Sequence, residues 1–382
     1  MKKNIALFFK SLFSNSACIS AGREKPWYAA VIIFILSIVI SLIPTVVTLG
    51  NAYGSSFIPS TNYNMDVALQ DFVLDINGLN EDAEGNPLHG PVLLTVQDDD
   101  TYGKRLENPT SSAGAEYISW SEAYGSNLAP YEHMYVRQIE DEDGNIVEST
   151  VVDFQIYFFG DADNATFTRY VTNLAAGRAP DQDESSESTS RSVSFIAFGR
   201  YAFRAQIYRP GNTSAQSSYT GDYLTLPAGY TINNLGDVTM TIGEETKVIT
   251  ANDMANPTSE LAPYFNQWKT GVFQNFKKLF DDGYITNKNT SWWMTTLITG
   301  SIFIILGLFM GLVVFFLTRG KRNPFRYFTV GDCFKIGSWA MLSPAILTLI
   351  FGFLMSQLAV IGFVLFYGMR IMWMSMRSLR PQ

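Results

Sequence analysis

Four apolar stretches, long enough to cross a bilayer and almost free of ionisable side chains, constrain this chain more than any other feature. A helix needs roughly 20 such residues to cover about 30 Å of hydrocarbon. The first runs from Trp27 to Leu49 and the second from Trp292 to Leu317, both without a charge. A third, Ile336 to Leu354, and a fourth, Leu358 to Met376, are separated only by Met355, Ser356 and Gln357, the pattern of a helical hairpin.

The charges between these stretches are sorted by sign. Residues 1–49 hold the basic residues Lys2, Lys3, Lys10, Arg23 and Lys25 against the single acid Glu24, and residues 291–382 hold eight basic residues against Asp332. Residues 50–290 carry 14 basic and 33 acidic groups, a net charge of −19. Lys and Arg near span ends are retained on the cytoplasmic side. Four crossings place Lys2, Lys3, Lys10, Arg23 and Lys25, the loop residues Arg319, Lys321, Arg322, Arg326 and Lys335, and the tail residues Arg377 and Arg380 all on that side. Both termini are then cytoplasmic, and the acidic segment lies outside. Trp27, Trp292 and Trp293 fall at span ends, where indole rings favour the membrane interface. Arg370, about 9 Å of helix from the end of the fourth span, is expected to snorkel to the headgroups, with an ion-path role as the alternative.

The expected fold class is therefore a membrane α-helical protein of four spans plus an extracytoplasmic β-rich α+β domain inserted between spans one and two. Its pieces are a basic amphipathic segment at 1–26, a span at 27–49, the acidic domain at 50–290, a span at 291–318, a basic loop at 319–335, a helical hairpin at 336–376 and a tail at 377–382. The first span is expected to be an uncleaved signal anchor. A cleaved signal with Gly50 and Ala52 at the cleavage site is the rival, but the apolar run exceeds the roughly 7–15 residues of a signal core.

In the first 17 residues, Ile5, Phe8, Phe9, Leu12 and Phe13 share one helical face, suited to an anionic leaflet or to packing on the spans. In the acidic segment, Tyr135–Ile139 and Ile146–Phe159 flank the turn at 140–145, a hairpin signal. Ser192–Tyr208 reads as one long β-prone run stopped by Pro210, Gly211 and Asn212, and Val238–Ile242 with Lys247–Thr250 as a second hairpin around Gly243. The apolar-poor stretch Asp181–Arg191 reads as a disordered loop. A juxtamembrane helix is expected over 263–282, started by Pro263 and stopped by Gly283.

Catalytic and metal motifs are sparse. The only histidines, His89 and His133, have no ligand-like spacing. Acid runs at Asp98–Asp100, at 140–143 and at Asn80, Asp82 and Glu84 suit solvated turns better than calcium loops, since Pro91 stands where the last of these would need a bidentate Glu. Cys18 and Cys333 fall on the cytoplasmic side; Cys18 is an inert thiol or a palmitoylation site. No phosphate loop or nucleophile elbow occurs, so neither a cofactor nor nucleic-acid binding is expected. Asn164, Asn212 and Asn289 head sequons that matter only in a eukaryotic secretory route.

Local sequence adds a resemblance. Phe8–Ser14 ahead of a span ending Ser41-Leu42-Ile43-Pro44, Phe72–Leu79, Phe334–Ser343 with Pro344, and Tyr367–Met372 are similar to a bacterial family of multi-pass membrane proteins, some of whose members are described as maltodextrin-utilisation proteins. The resemblance spans roughly the first 80 and last 90 residues, and this chain departs from it in a longer outer segment that includes Asp181–Arg191. It implies a plasma-membrane accessory linked to carbohydrate uptake, with no catalytic residue to carry over. A saccharide or other small molecule, a membrane-protein partner and the lipid bilayer are the expected contacts. An envelope hydrolase built on a carboxylate pair and a small transporter subunit are the alternatives.

Overall fold

The computed structural model describes residues 2–58, 65–81, 87–112, 115–140, 146–183, 185, 187, 193–208, 215–320, 323–355 and 358–379. In chain order these form helices α1 (Lys2–Phe13), α2 (Asn15–Glu24), α3 (Trp27–Gly50) and α4 (Met65–Ile76), then strands β1 (Thr95–Asp99), β2 (Gly103–Glu107), β3 (Ser111–Ser112) and β4 (Ala115–Glu116). Next come α5 (Trp120–Tyr124), β5 (Tyr131–Glu140), β6 (Ile146–Phe159), α6 (Asn164–Ala175), β7 (Ser194–Gly199), β8 (Ala202–Tyr208) and β9 (Ala215–Asp222). The chain continues with β10 (Val238–Ile242), β11 (Glu245–Ile249), α7 (Ala251–Ala255), α8 (Phe265–Thr318), α9 (Val330–Leu354) and α10 (Ala359–Arg377). Two compact units result, one of Met1–Ala52 with Lys288–Gln382, the other of Tyr53–Asn287.

In the helical unit, α3, α8, α9 and α10 are each long and apolar enough to cross a membrane. Ile305, Leu297 and Phe316 remain 67%, 60% and 69% exposed, an apolar surface that suits hydrocarbon and not water. Small residues bring the helices together. A Cβ on Gly311 would collide with the Phe334 ring, and one on Gly337 would meet the Gly311 Cα at 3.4 Å, the close approach that glycine permits between membrane-length helices. Tyr367, fully buried, donates its hydroxyl to the Gly337 carbonyl at 3.0 Å.

The third span starts earlier than expected. Its helix begins at Val330 and not Ile336, because Thr329 and Asp332 form a capping box: Thr329 Oγ1 accepts from the Asp332 N–H at 3.1 Å, and the Asp332 carboxylate accepts from the Thr329 N–H at 3.1 Å. Lys335 therefore sits in this helix, 3.2 Å from Asp332, and not in a loop. At the N-terminus Ser14 breaks the amphipathic segment into two helices by capping α2. Ile19 and Ala21 of α2 are buried, and Gly22 lets the helix close onto Ile336. Phe9 and Phe13 of α1 stay exposed.

The β-rich unit is built on a five-stranded sheet in the order β5-β6-β7-β8-β9. The β5–β6, β7–β8 and β8–β9 pairs are antiparallel, while β6 and β7 run parallel, with α6 in the connection between them. Strand alternation sorts the side chains into two cores. Phe154, Ile156, Ile196, Phe198, Phe203 and Ile207 join Phe72 of α4 and Trp268, Phe276 and Phe280 of α8. Phe159, Phe195 and Ala197 face Phe167, Val171 and Leu174 of α6. Asn233, 7% exposed, ties distant segments together: its Oδ1 accepts from the Leu94 N–H at 3.1 Å, and its Nδ2 donates to the Val92 carbonyl at 2.8 Å and the Ile76 carbonyl at 3.4 Å.

Two sequence expectations are corrected here. The run read as one strand up to Tyr208 holds two antiparallel strands, Ser194–Gly199 and Ala202–Tyr208, since Arg200 and Tyr201 turn the chain between β7 and β8. Gly283 does not stop the juxtamembrane helix, which runs through it from Phe265 to Thr318. The residue is glycine for another reason: a Cβ there would lie 2.5 Å from the Phe203 ring and 2.9 Å from the Asp222 carbonyl oxygen. The β5–β6 and β10–β11 hairpins form as antiparallel pairs. The turn at 141–145, most of Asp181–Arg191, Asp82 to Asn86 and Pro210 to Asn212 lie outside the described residues.

Candidate functional site

A cleft of about 990 Å³ opens in the β-rich unit at the carboxyl ends of the two parallel strands. The register pairs Phe159 with Gly199 as the last residues of β6 and β7. Gly160, Asp161, Ala162 and Asp163 leave the first strand and Arg200 leaves the second, and all but Gly199 line the cleft. Crevices at the carboxyl ends of parallel strands are the usual binding place in such sheets, because the connections diverge there.

Each wall has a local cause. Asp163 caps α6 by accepting from the Thr166 N–H at 2.8 Å, which holds its carboxyl below the ordinary range. Asn127 donates to Asp161 at 3.2 Å. The opposite wall is α5, only five residues long but fixed at both ends. Ser119 and Glu122 make a capping box, and Gly125 at φ +81° ends the helix. Asn108 anchors the first turn by accepting from the Trp120 N–H at 2.7 Å. Trp120 is 1% exposed and donates its indole N–H to the Ala129 carbonyl at 2.9 Å, so it forms a rigid floor. Tyr170, 5.1 Å from the Phe159 ring, supplies a second aromatic surface.

Behind α5 lies a polar cluster that draws in both histidines. Asp71 and Asp75 sit one turn apart on α4. Asp75, 3% exposed, accepts from the Tyr124 hydroxyl at 2.6 Å and lies 3.1 Å from His89 Nδ1. His133 on β5 reaches Asp153 of β6 at 2.6 Å through Nδ1 and Asp71 at 3.3 Å through Nε2. Burial opposes a charge on His133, but the two carboxylates overcome it and raise its pKa to about 9. Burial, together with the Asp75 carboxylate, pushes the Tyr124 phenol far upward, so it serves as a donor. Trp120 and Tyr124 have ring centroids 4.3 Å apart. The cluster thus braces the helix that floors the cleft.

The cleft is lined by three carboxylates, Glu107, Asp161 and Asp163, against one guanidinium, Arg200. That balance disfavours anions. Glu107 is paired with Arg105 at 2.6 Å. The downward displacement of Asp163 is the opposite of what a proton donor for glycoside cleavage needs. Among the described residues no group of three His, Cys, Asp or Glu side chains is placed to share a metal ion. Asp99 accepts from the Thr101 and Tyr102 N–H groups and closes the β1–β2 turn.

The residues singled out by charge and aromaticity lie in the helical unit. Trp27 and Trp293 are exposed, and Trp292 donates to the Val46 carbonyl at 3.1 Å. Arg319 donates to the Arg326 and Phe328 carbonyls at 2.8 Å and 2.5 Å, and Arg23 lies over the Tyr327 and Phe328 rings. Lys25 is the C-cap of α2, Lys10 lies in the last turn of α1, and Arg326 and Arg377 are exposed. The side chains of Lys2 and Lys3, and residues Lys321, Arg322 and Arg380, lie outside the described residues. Arg370 departs from the snorkelling expectation. Its guanidinium is taken up inside the unit, donating to the Leu12 carbonyl at 2.6 Å, the Ser11 carbonyl at 2.7 Å and Ser343 Oγ. Cys18 is fully buried, which leaves its thiol no room for an acyl chain in this arrangement.

Sequence patterning marks none of the cleft residues as a site, because only the strand ends bring them together. Comparison with known proteins places the chain in no group: no family model, no curated protein and no solved structure matches it.

Proposed function

We propose that this chain is a multi-pass membrane accessory of the bacterial plasma membrane whose β-rich unit stands outside the cell and binds a hydroxyl-rich, uncharged ligand of the saccharide class. Both termini are then cytoplasmic, held there by the basic residues that flank the spans. The observation that carries the ligand reading is the cleft at the ends of β6 and β7. It sets the half-buried Tyr170 ring among carboxylates, amides, hydroxyls and one guanidinium, on a backing made rigid by the buried Trp120. Sugars present apolar ring faces and many hydroxyls, which such a lining satisfies. At about 990 Å³ the cleft is at the upper end of small-molecule sites, room for an oligosaccharide more than for one sugar ring. The resemblance to a family linked to maltodextrin use points the same way.

Isothermal titration of the purified intact chain with linear and branched glucans tests the reading. Saturable binding that weakens at least tenfold in Tyr170→Ala and Asp161→Asn supports it. Absence of binding across neutral oligosaccharides, or affinity unchanged in both variants, refutes it. Protease added to sealed cells checks the topology, since the acidic unit must be cut from the medium and a C-terminal tag must stay protected.

A further inference from the structure

A second cavity, about 570 Å³, lies within the helical unit where α2 begins beside α9 and α10. Ser14, Ser16, Arg370 and Arg377 give its lining hydroxyls and cationic groups. Leu347, Phe366, Met369 and Trp373 give it apolar surface, interleaved with the arginines along α10. No carboxylate contributes to the lining. Leu347, Met369 and Trp373 are 48%, 51% and 57% exposed. They continue the exposed apolar surface of Ile350 and Leu365 on the same two helices.

The two arginines differ in their tasks. Arg370 is fixed by the carbonyls at the end of α1 and by Ser343, so its position is set, yet its Nε is buried with no hydrogen-bond partner. Arg377, exposed in the last turn of α10, makes no hydrogen bond or ion pair among the described residues. A groove that sets two cationic groups and hydroxyls beside exposed apolar side chains on membrane-length helices matches one kind of molecule, an amphiphile with a negative head.

We propose that this groove holds one phospholipid with an anionic headgroup, its phosphate at Arg377 and the start of α2 and an acyl chain along Leu347, Phe366, Met369 and Trp373. The charge complementarity argues for an anion, and the continuous apolar wall argues for a lipid over a free anion. The assignment stands apart from the saccharide reading of the cleft.

The test uses the intact chain in mild detergent with three probes: dioleoylphosphatidylglycerol, dioleoylphosphatidylcholine and sodium phosphate. Lipid retained is counted by native mass spectrometry, and the melting temperature is followed in parallel. Phosphatidylglycerol should be retained in preference to phosphatidylcholine and should raise the melting temperature. Arg377→Gln, at an exposed position without a hydrogen bond or ion pair among the described residues, should weaken retention about fivefold, while Arg326→Gln should leave it unchanged. Equal retention of phosphatidylcholine, the same stabilisation by phosphate alone, or wild-type retention in Arg377→Gln would each overturn the proposal.

Discussion

Raising the pH from 6 to 10 should loosen the β-rich unit through one side chain, His133. Its pKa is about 9 in the fold and about 6.5 in an unfolded chain. Below pH 6.5 both states are protonated and the whole stabilisation from Asp153 and Asp71 is present. Between 6.5 and 9 the unfolded chain has given up its proton while the fold retains it, so the advantage shrinks as pH rises, and above 9 it is gone. The full shift corresponds to about 3 kcal/mol at roughly 1.4 kcal/mol per pH unit. Asp71 is 40% exposed, so solvent screens its share, and about 2 kcal/mol is the expected loss. In a unit of this size that is a fall of about 4–8 °C in melting temperature. The assay is scanning fluorimetry of the intact, detergent-solubilised chain at pH 6, 7, 8, 9 and 10, with His133→Gln alongside. The gap between wild type and variant should be widest at pH 6 and should close towards pH 10. Parallel curves, with a constant gap over the whole range, would refute the reasoning.

Three other outcomes follow from the packing. Tyr124→Phe leaves the buried Asp75 carboxylate without its shortest donor and should cost about 1–3 kcal/mol, measured by urea unfolding of the β-rich unit. Gly283→Ala should destabilise by about 1–3 kcal/mol although alanine favours helices, because the added Cβ meets the Asp222 carbonyl; a more stable variant would contradict the close approach. Asp163→Ala removes the α6 cap and should quicken hydrogen exchange in the first turn of α6; unchanged exchange there would contradict the cap.

The spans were legible because lipid imposes a length and an absence of charge that few other settings require. Their ends were less so. Thr329 and Asp332 spell a capping box, but with an apolar run beginning at Ile336 the cap lies outside the pattern that marks a span. Gly283 carried the ordinary meaning of a helix stop, and only its packing against Phe203 gives the actual one. The hairpins could be read from turn residues and strand alternation, yet the parallel pairing of β6 with β7 could not, since nothing local distinguishes it from an antiparallel ladder. The histidine cluster was hidden for a similar reason. Asp71 and Asp75 show a one-turn spacing, but His133, paired with Asp153, reaches Asp71 only after β5 pairs with β6 and packs on α4. The cleft draws on residues 106 to 200, which come together only in the fold.

Asn233 sets a timetable for biogenesis. The peptide groups of Ile76 and Val92 that it satisfies lie 157 and 141 positions earlier. At a synthesis rate of about 5–20 residues per second, that stretch takes roughly 7–30 s to emerge. Throughout that wait the early part of the unit cannot complete its interior, so it persists as an open chain. Closure is then a late event that the arrival of one amide side chain permits.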